Sequence, residues 1–390
     1  MRKEQHTIMI MSSIVMMLLM GTVYAYSVFR LHIESRFEIG SLQSGLPYMT
    51  SLFFYSISMM VSGRYLKTRT LRRMVIIGTL LIVLGWIISG FAQSFVVLIL
   101  SYGVLLGTGV GMVYGVPIYM VQKLFPKKSG LMAGIILLGF GMSPLITAPL
   151  ASYLIQTINL QGTFFIFGFM TLVIQLPLSF TFILNEYKEF KNEPVEPTEQ
   201  LQLKPFKRIY AMFVIATSIG LMMIGLSYQI GVSFYGFNTR EVTLSLSLFA
   251  LGNGIARPLF GKIMDKRGFH YAVRLSLILM AIAALIGLIN QGEHLALYMI
   301  SFGLFWFNLG AWLSIVPATI KEFYGVKHYA KKYGVMFTAY GVGSIIGTLF
   351  SGTIMDLLKW TTYLYWLILI LIVISYIISR KTKINMQSKV

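Results

Sequence analysis

The chain is 390 residues long, 56% hydrophobic and 12% charged, whereas soluble domains carry about 25% charged residues; the balance excludes a water-soluble globular protein and indicates an all-α membrane protein. Its net charge of +19 does not point to nucleic acid, because the cations sit in short segments between apolar stretches. With no cysteine, and with His6, His32, His270, His294 and His328 all away from the middle of any apolar stretch, thiol chemistry and a membrane metal cluster are excluded and no cofactor is expected.

Taken in order, the chain opens on MRKEQH and an apolar run without a small-residue cleavage site, which reads as a retained first helix. A helix needs about 20 apolar residues to cross the hydrocarbon core. Twelve stretches qualify, roughly 8–30, 43–65, 74–92, 95–120, 130–153, 162–184, 208–231, 241–262, 271–289, 295–318, 333–355 and 360–379. The first holds Tyr24 and Tyr26, whose hydroxyls are able to donate to an anion. Arg30, His32, Glu34 and Arg36 at its far end read as a solvated mouth. In the fourth, Gly103, Gly107 and Gly111 step by four, a small-residue groove for close helix packing. No Gly-Lys-Ser/Thr follows, so a phosphate loop is excluded. Tyr114, in the same stretch, is a candidate cavity residue.

Residues 185–207, NEYKEFKNEPVEPTEQLQLKPFK, lack apolar periodicity and read as a linker. They divide the chain into 1–184 and 208–390, six stretches each. The eighth stretch, within LFALGNGIARPLFGKIMDKRG (Leu248–Gly268), holds Arg257, read here as the only formal charge well inside a span. A charge at that depth costs roughly 3 kcal/mol on insertion scales and usually faces a cavity. No Asp or Glu lies inside any stretch to neutralise it, so the counter-charge is expected to be the cargo, held as a carboxylate on the guanidinium fork. Asn253, four residues earlier, shares its helical face. Asn308 and Trp312, four apart in the tenth stretch, and Tyr340, in TAYG of the eleventh, complete the candidate wall residues.

Twelve spans put both termini and the linker on one side. That side carries Arg2, Lys3, the Arg64–Arg73 cluster, Lys123, Lys127, Lys128 and the Lys262–Arg274 group, against Arg30, Arg36, Arg240 and Lys359 opposite. By the positive-inside rule both termini face the cytoplasm, and the protein sits in the cytoplasmic membrane. The two halves repeat. GRYLKTRTLRR (Gly63–Arg73) follows the second stretch as GKIMDKRGFHYAVR (Gly261–Arg274) follows the eighth, and the KK-x-G-x-M registers at Lys127–Met132 and Lys331–Met336 correspond. The hairpins at 64–73 and 262–267 suit cytoplasmic latches or lipid-headgroup contacts.

Two six-helix halves with such hairpins resemble the major facilitator superfamily. YAYSVF (Tyr24–Phe29), Gly107–Ile135, Gly252–Gly268 and KKYGVMFTAYG (Lys331–Gly341) together resemble its oxalate:formate antiporter and monocarboxylate porter branch. The resemblance implies a substrate site near the midplane, between the halves, with access alternating by rocking. It also implies that Arg257 engages a substrate carboxylate. Where the oxalate carrier has a Lys in a TAKG context this chain has Tyr340, and where proton-coupled monocarboxylate porters have an Asp four residues before the Arg it has Asn253. One cation then matches one negative charge, and a dianion leaves a charge unpaired at low dielectric. The expectation is a monomeric secondary transporter, not an enzyme, of a small monocarboxylate such as lactate, pyruvate or formate. Its other partners are membrane lipids. An oxalate-type exchanger and a drug or sugar facilitator are the alternatives. Proton coupling, exchange and uniport stay open.

Overall fold

The structure is a computed structural model that describes residues 3–66, 70–125, 129–182, 203–290, 292–357 and 361–382. The linker expected at 185–207 falls largely outside the described residues, as do Lys67 and Thr68 in the first hairpin and Pro126, Lys127 and Lys128 in the second loop. Among the described residues there is no strand. Helices satisfy every backbone N–H and C=O within the segment, which is what an apolar run needs in lipid.

The helices, in order, are α1 Lys3–Met20, α2 Tyr26–Phe37, α3 Ser41–Ser44, α4 Leu46–Ser62, α5 Leu71–Phe91, α6 Phe95–Leu98, α7 Gly107–Leu124, α8 Ser129–Leu178, α9 Leu203–Gln229, α10 Thr239–Asn290, α11 Leu295–Leu357 and α12 Thr362–Lys381. Three of them each join two helices across a single non-helical residue. These are Asn159 in α8 (φ 80°), Gly268 in α10 (φ 74°) and Gly325 in α11 (φ 64°). Left-handed backbone suits Gly and, among side chains, Asn; the Asn159 carboxamide secures its break by accepting from Gly162 N at 2.9 Å. Nine helices among the described residues are long and apolar enough to cross a membrane. Each of the twelve apolar stretches lies mainly on helical backbone.

What positions the centre is the packing of α10 against both α8 and α11, and of α4 against α7 and α11. Glycines let α10 come close. A Cβ on Gly134 of α8 would lie 2.8 Å from the Arg257 carbonyl oxygen, and one on Gly141 would lie 2.6 Å from Asn253 Oδ1 and 2.9 Å from Arg257 Nε. The backbone there can hold no side chain, so α8 runs directly beneath the Asn253–Arg257 face. On the other side of the centre, α1 tightens into a 3₁₀ turn over Gly21–Ala25, all five residues of it buried, and this turn carries Tyr24 inward.

Candidate functional site

Arg257 is fully buried. Its Nη2 donates to Asn253 Oδ1 at 3.0 Å, the i, i+4 partner on the same helix. The Asn253 amide nitrogen donates in turn to the Trp306 carbonyl oxygen of α11 at 2.6 Å, which fixes the carboxamide with its oxygen toward the guanidinium. Nε and Nη1 of Arg257 have no hydrogen-bond partner. Among the described residues no carboxylate pairs with this cation; the ion pair seen is elsewhere, between Arg30 and Glu34. Unpartnered donors on a buried charge are costly, several times more so than on a neutral group. The open guanidinium nitrogens are therefore built for something that brings acceptors.

Aromatic rings enclose it. The Arg257 guanidinium carbon lies 5.5 Å from the Phe140 ring centroid, a cation–π contact that offsets part of the missing hydration. Tyr24 packs edge-on to Phe140 at 5.1 Å, and its hydroxyl is 2.8 Å from that of Tyr340. Tyr114 meets Phe140 edge-on at 5.4 Å, and Tyr55 touches Tyr114, Phe337 and Tyr340 at 5.1, 5.1 and 5.5 Å. The Arg257 charge acts on Tyr24, Tyr114 and Tyr333. The hydroxyls of Tyr114 and Tyr333 are buried without a hydrogen-bond partner, like the two guanidinium nitrogens. A cluster of unsatisfied donors around one cation, walled by π-faces, is the local chemistry of an anion site. Tyr333 also lines a small cleft with Met59, Gly63 and Ile118.

Of the residues expected from the sequence, Arg257, Asn253, Tyr24, Tyr114 and Tyr340 are brought together. Asn308 and Trp312 are both buried but join elsewhere: Ser276 donates to Asn308 Oδ1 at 2.8 Å, and Trp312 Nε1 donates to Ser276 Oγ at 2.9 Å. They brace the tenth stretch against the ninth. Sequence reading missed Tyr55, Phe140, Trp306, Tyr333 and Phe337. Phe140 and Phe337 carry no polar signal at all, and nothing marks which aromatic of an all-apolar helix faces inward.

One expectation is corrected. Arg30 is not part of a solvated mouth, being only 2% exposed. Its Nε donates to Ser44 Oγ at 2.9 Å, Nη1 to the Gly225 carbonyl at 3.1 Å, and Nη2 to the Ser41 carbonyl. The cause is the turn after α2: Glu38 adopts a left-handed conformation and folds α3 back over the arginine. His32 is exposed as expected. Arg257 is thus not the only buried arginine. Of these two, it is the one whose donors are left open.

The Major Facilitator Superfamily profile matches residues 9–238 and again 211–384. The chain belongs to this superfamily. It is 22% identical over 364 residues to the oxalate:formate antiporter of Oxalobacter formigenes, covering 91% of this chain and 86% of that protein. It is also 25% identical over 312 residues to monocarboxylate transporter 11 of Mus musculus, covering 75% and 68% respectively. Among solved structures, the human organic anion transporter MFSD10 (TETRAN) superposes with a TM-score of 0.68 at 14% identity over 94% of this chain and 98% of that one, a likeness of fold. Superfamily, transporter class and all-α membrane architecture are thereby established.

Proposed function

We propose that this chain is a secondary transporter of a small monocarboxylate, such as lactate, pyruvate or formate, with Arg257 as the charge partner. Two six-helix halves, 1–184 and 208–390, rock about the site to alternate access. The observation that carries the reading is the fully buried guanidinium with Nε and Nη1 unpartnered. A carboxylate brings charge-assisted acceptors to these open donors. Tyr24, Tyr114 and Tyr340 wall the site and offer hydroxyls, and Asn253 holds the guanidinium in place. A single cation in a ring of aromatics favours one negative charge over two. The relatives named for oxalate:formate exchange and for monocarboxylates support the carboxylate class. The excess of basic residues in the loops supports cytoplasmic termini and a cytoplasmic membrane as the protein's location.

The test is uptake of labelled pyruvate, lactate, formate and oxalate into proteoliposomes, with wild type beside Arg257→Gln. A monocarboxylate that enters through wild type and not through the folded variant is the expected result. Normal transport by Arg257→Gln would make the arginine a structural strut and reopen the substrate class. Oxalate competing as well as pyruvate would overturn the preference for one charge and favour the exchanger reading.

A further inference from the structure

We infer that Arg30, Glu34 and Asp356 are gating residues, which with Ser41, Gly225 and Gln229 lock the transport path shut at the end of the bundle remote from the termini. At that end the chain between α2 and α4 meets two later helices. Asp356, the penultimate residue of α11, accepts from Ser41 N at 2.9 Å and Leu42 N at 2.8 Å. Gln229, at the end of α9, donates to both carboxylate oxygens of Glu34, at 3.2 and 3.4 Å, and accepts from Ser41 Oγ at 2.9 Å. Arg30 reaches across to the Gly225 carbonyl at 3.1 Å. Ser44 Oγ donates to Glu34 Oε1 at 2.5 Å, and Arg30 Nε stands 3.6 Å from the same oxygen, so the acid and the base brace each other. The other groups that face this cluster are Tyr26, whose hydroxyl donates to the Ser44 carbonyl at 2.6 Å, and Tyr48, stacked on Tyr26 at 5.5 Å.

Each of these cross-contacts joins a residue from 30–42 to one from 225–356, elements on opposite sides of the linker. All but the Ser41–Gln229 bond are charge-assisted, hence strong when made. Asp356 is exposed and Glu34 partly so, and water takes over their hydrogen bonds when the elements part. A contact with a large gross and a small net energy suits a gate that must open and reshut. At the opposite end a cleft bounded by Met59, Gly63, Ile118 and Tyr333 is present instead. The molecule is therefore closed by polar contacts at the end where these elements meet. None of the lock residues touches Arg257, so the lock sets which end is open and not what is bound. This inference rests on alternating access in this fold, not on the identity of the anion.

The chain has no cysteine, so one introduced thiol is a clean reporter. Ser344 of α11, fully buried with its hydroxyl on the Met49 carbonyl at 3.3 Å, lies twelve residues, about 18 Å, inside Asp356. In oriented vesicles without substrate, Ser344→Cys is treated with a membrane-impermeant maleimide from the lock face, and Ile118→Cys from the opposite face. Adding Asp356→Ala, or Glu34→Gln, is expected to raise labelling at Ser344→Cys by about tenfold and to lower it at Ile118→Cys. Unchanged labelling at Ser344→Cys in both variants overturns the inference. A rise at both reporters also overturns it, since that is general loosening and not a shift between two states. No cargo enters this readout, so its failure is separate from any failure of the anion assignment.

Discussion

Changing Asn253 to Asp tests the electrostatics of the site more sharply than deleting the arginine. The Asn253 oxygen lies 3.0 Å from Arg257 Nη2, so a carboxylate in its place neutralises the guanidinium without removing it. A cargo carboxylate on the free side of the guanidinium sits about 6 Å from that new charge. At an effective dielectric of about 20, two unit charges at this separation repel by roughly 3 kcal/mol. That corresponds to about a hundredfold weaker binding. The amide that donates to the Trp306 carbonyl is lost as well, at a further cost of about 1 kcal/mol in stability. The assay is the concentration dependence of monocarboxylate uptake in proteoliposomes at neutral and acid pH. KM is expected to rise about a hundredfold at neutral pH. It falls back as acid protonates the new carboxyl, since the neutral form no longer repels the anion. Unchanged KM at neutral pH would refute the reasoning, because it would mean that the cargo does not share the Arg257 field.

Tyr340→Phe removes one partner of the 2.8 Å hydroxyl pair with Tyr24. A neutral hydrogen bond contributes about 1 kcal/mol, so transport is expected to weaken by about fivefold, with Tyr24→Phe adding little on top because both changes delete the same bond; additive losses in the double variant would show that each hydroxyl meets cargo separately. Ser276→Ala unties Asn308 and Trp312 at once. Both are left buried and short of a partner, so thermal unfolding in detergent is expected at lower temperature, by an equivalent of about 1–3 kcal/mol, with KM unchanged; a raised KM at normal stability would bring this brace into the substrate path.

The fold was legible because its signal is one-dimensional. Runs of apolar residues long enough to span lipid leave the backbone no alternative to helix, and all twelve stretches lie mainly on helical backbone. The bounds of the elements were less legible. At Gly268 and Gly325 a glycine marks the break, but at Asn159 only a residue tolerant of left-handed backbone does so. In QTINLQGTF nothing in the residue pattern singles out that asparagine as the turning point.

Legibility of the site follows how each residue's role is encoded. Arg257 stands out because a charge in an apolar run is costly wherever it points, so the sequence alone marks it. Asn253 follows from helical spacing, and its hydrogen bond to Arg257 is local. Phe140 and Phe337 cannot be found that way, since their role exists only through contacts with residues distant in sequence: Phe140 with Arg257 and Phe337 with Tyr55. Arg30 shows the converse error. It stands at the end of an apolar run beside His32, Glu34 and Arg36, a composition that normally means water. Yet α3 folds over it and the Gly225 carbonyl, nearly two hundred residues later, takes one of its donors. The two arginines therefore differ in kind despite equal burial. Arg30 has its nitrogens engaged by Ser44, Gly225 and Ser41 and acts through the protein, whereas Arg257 keeps two nitrogens open and acts on what enters. Burial identifies neither role; the count of satisfied donors separates them.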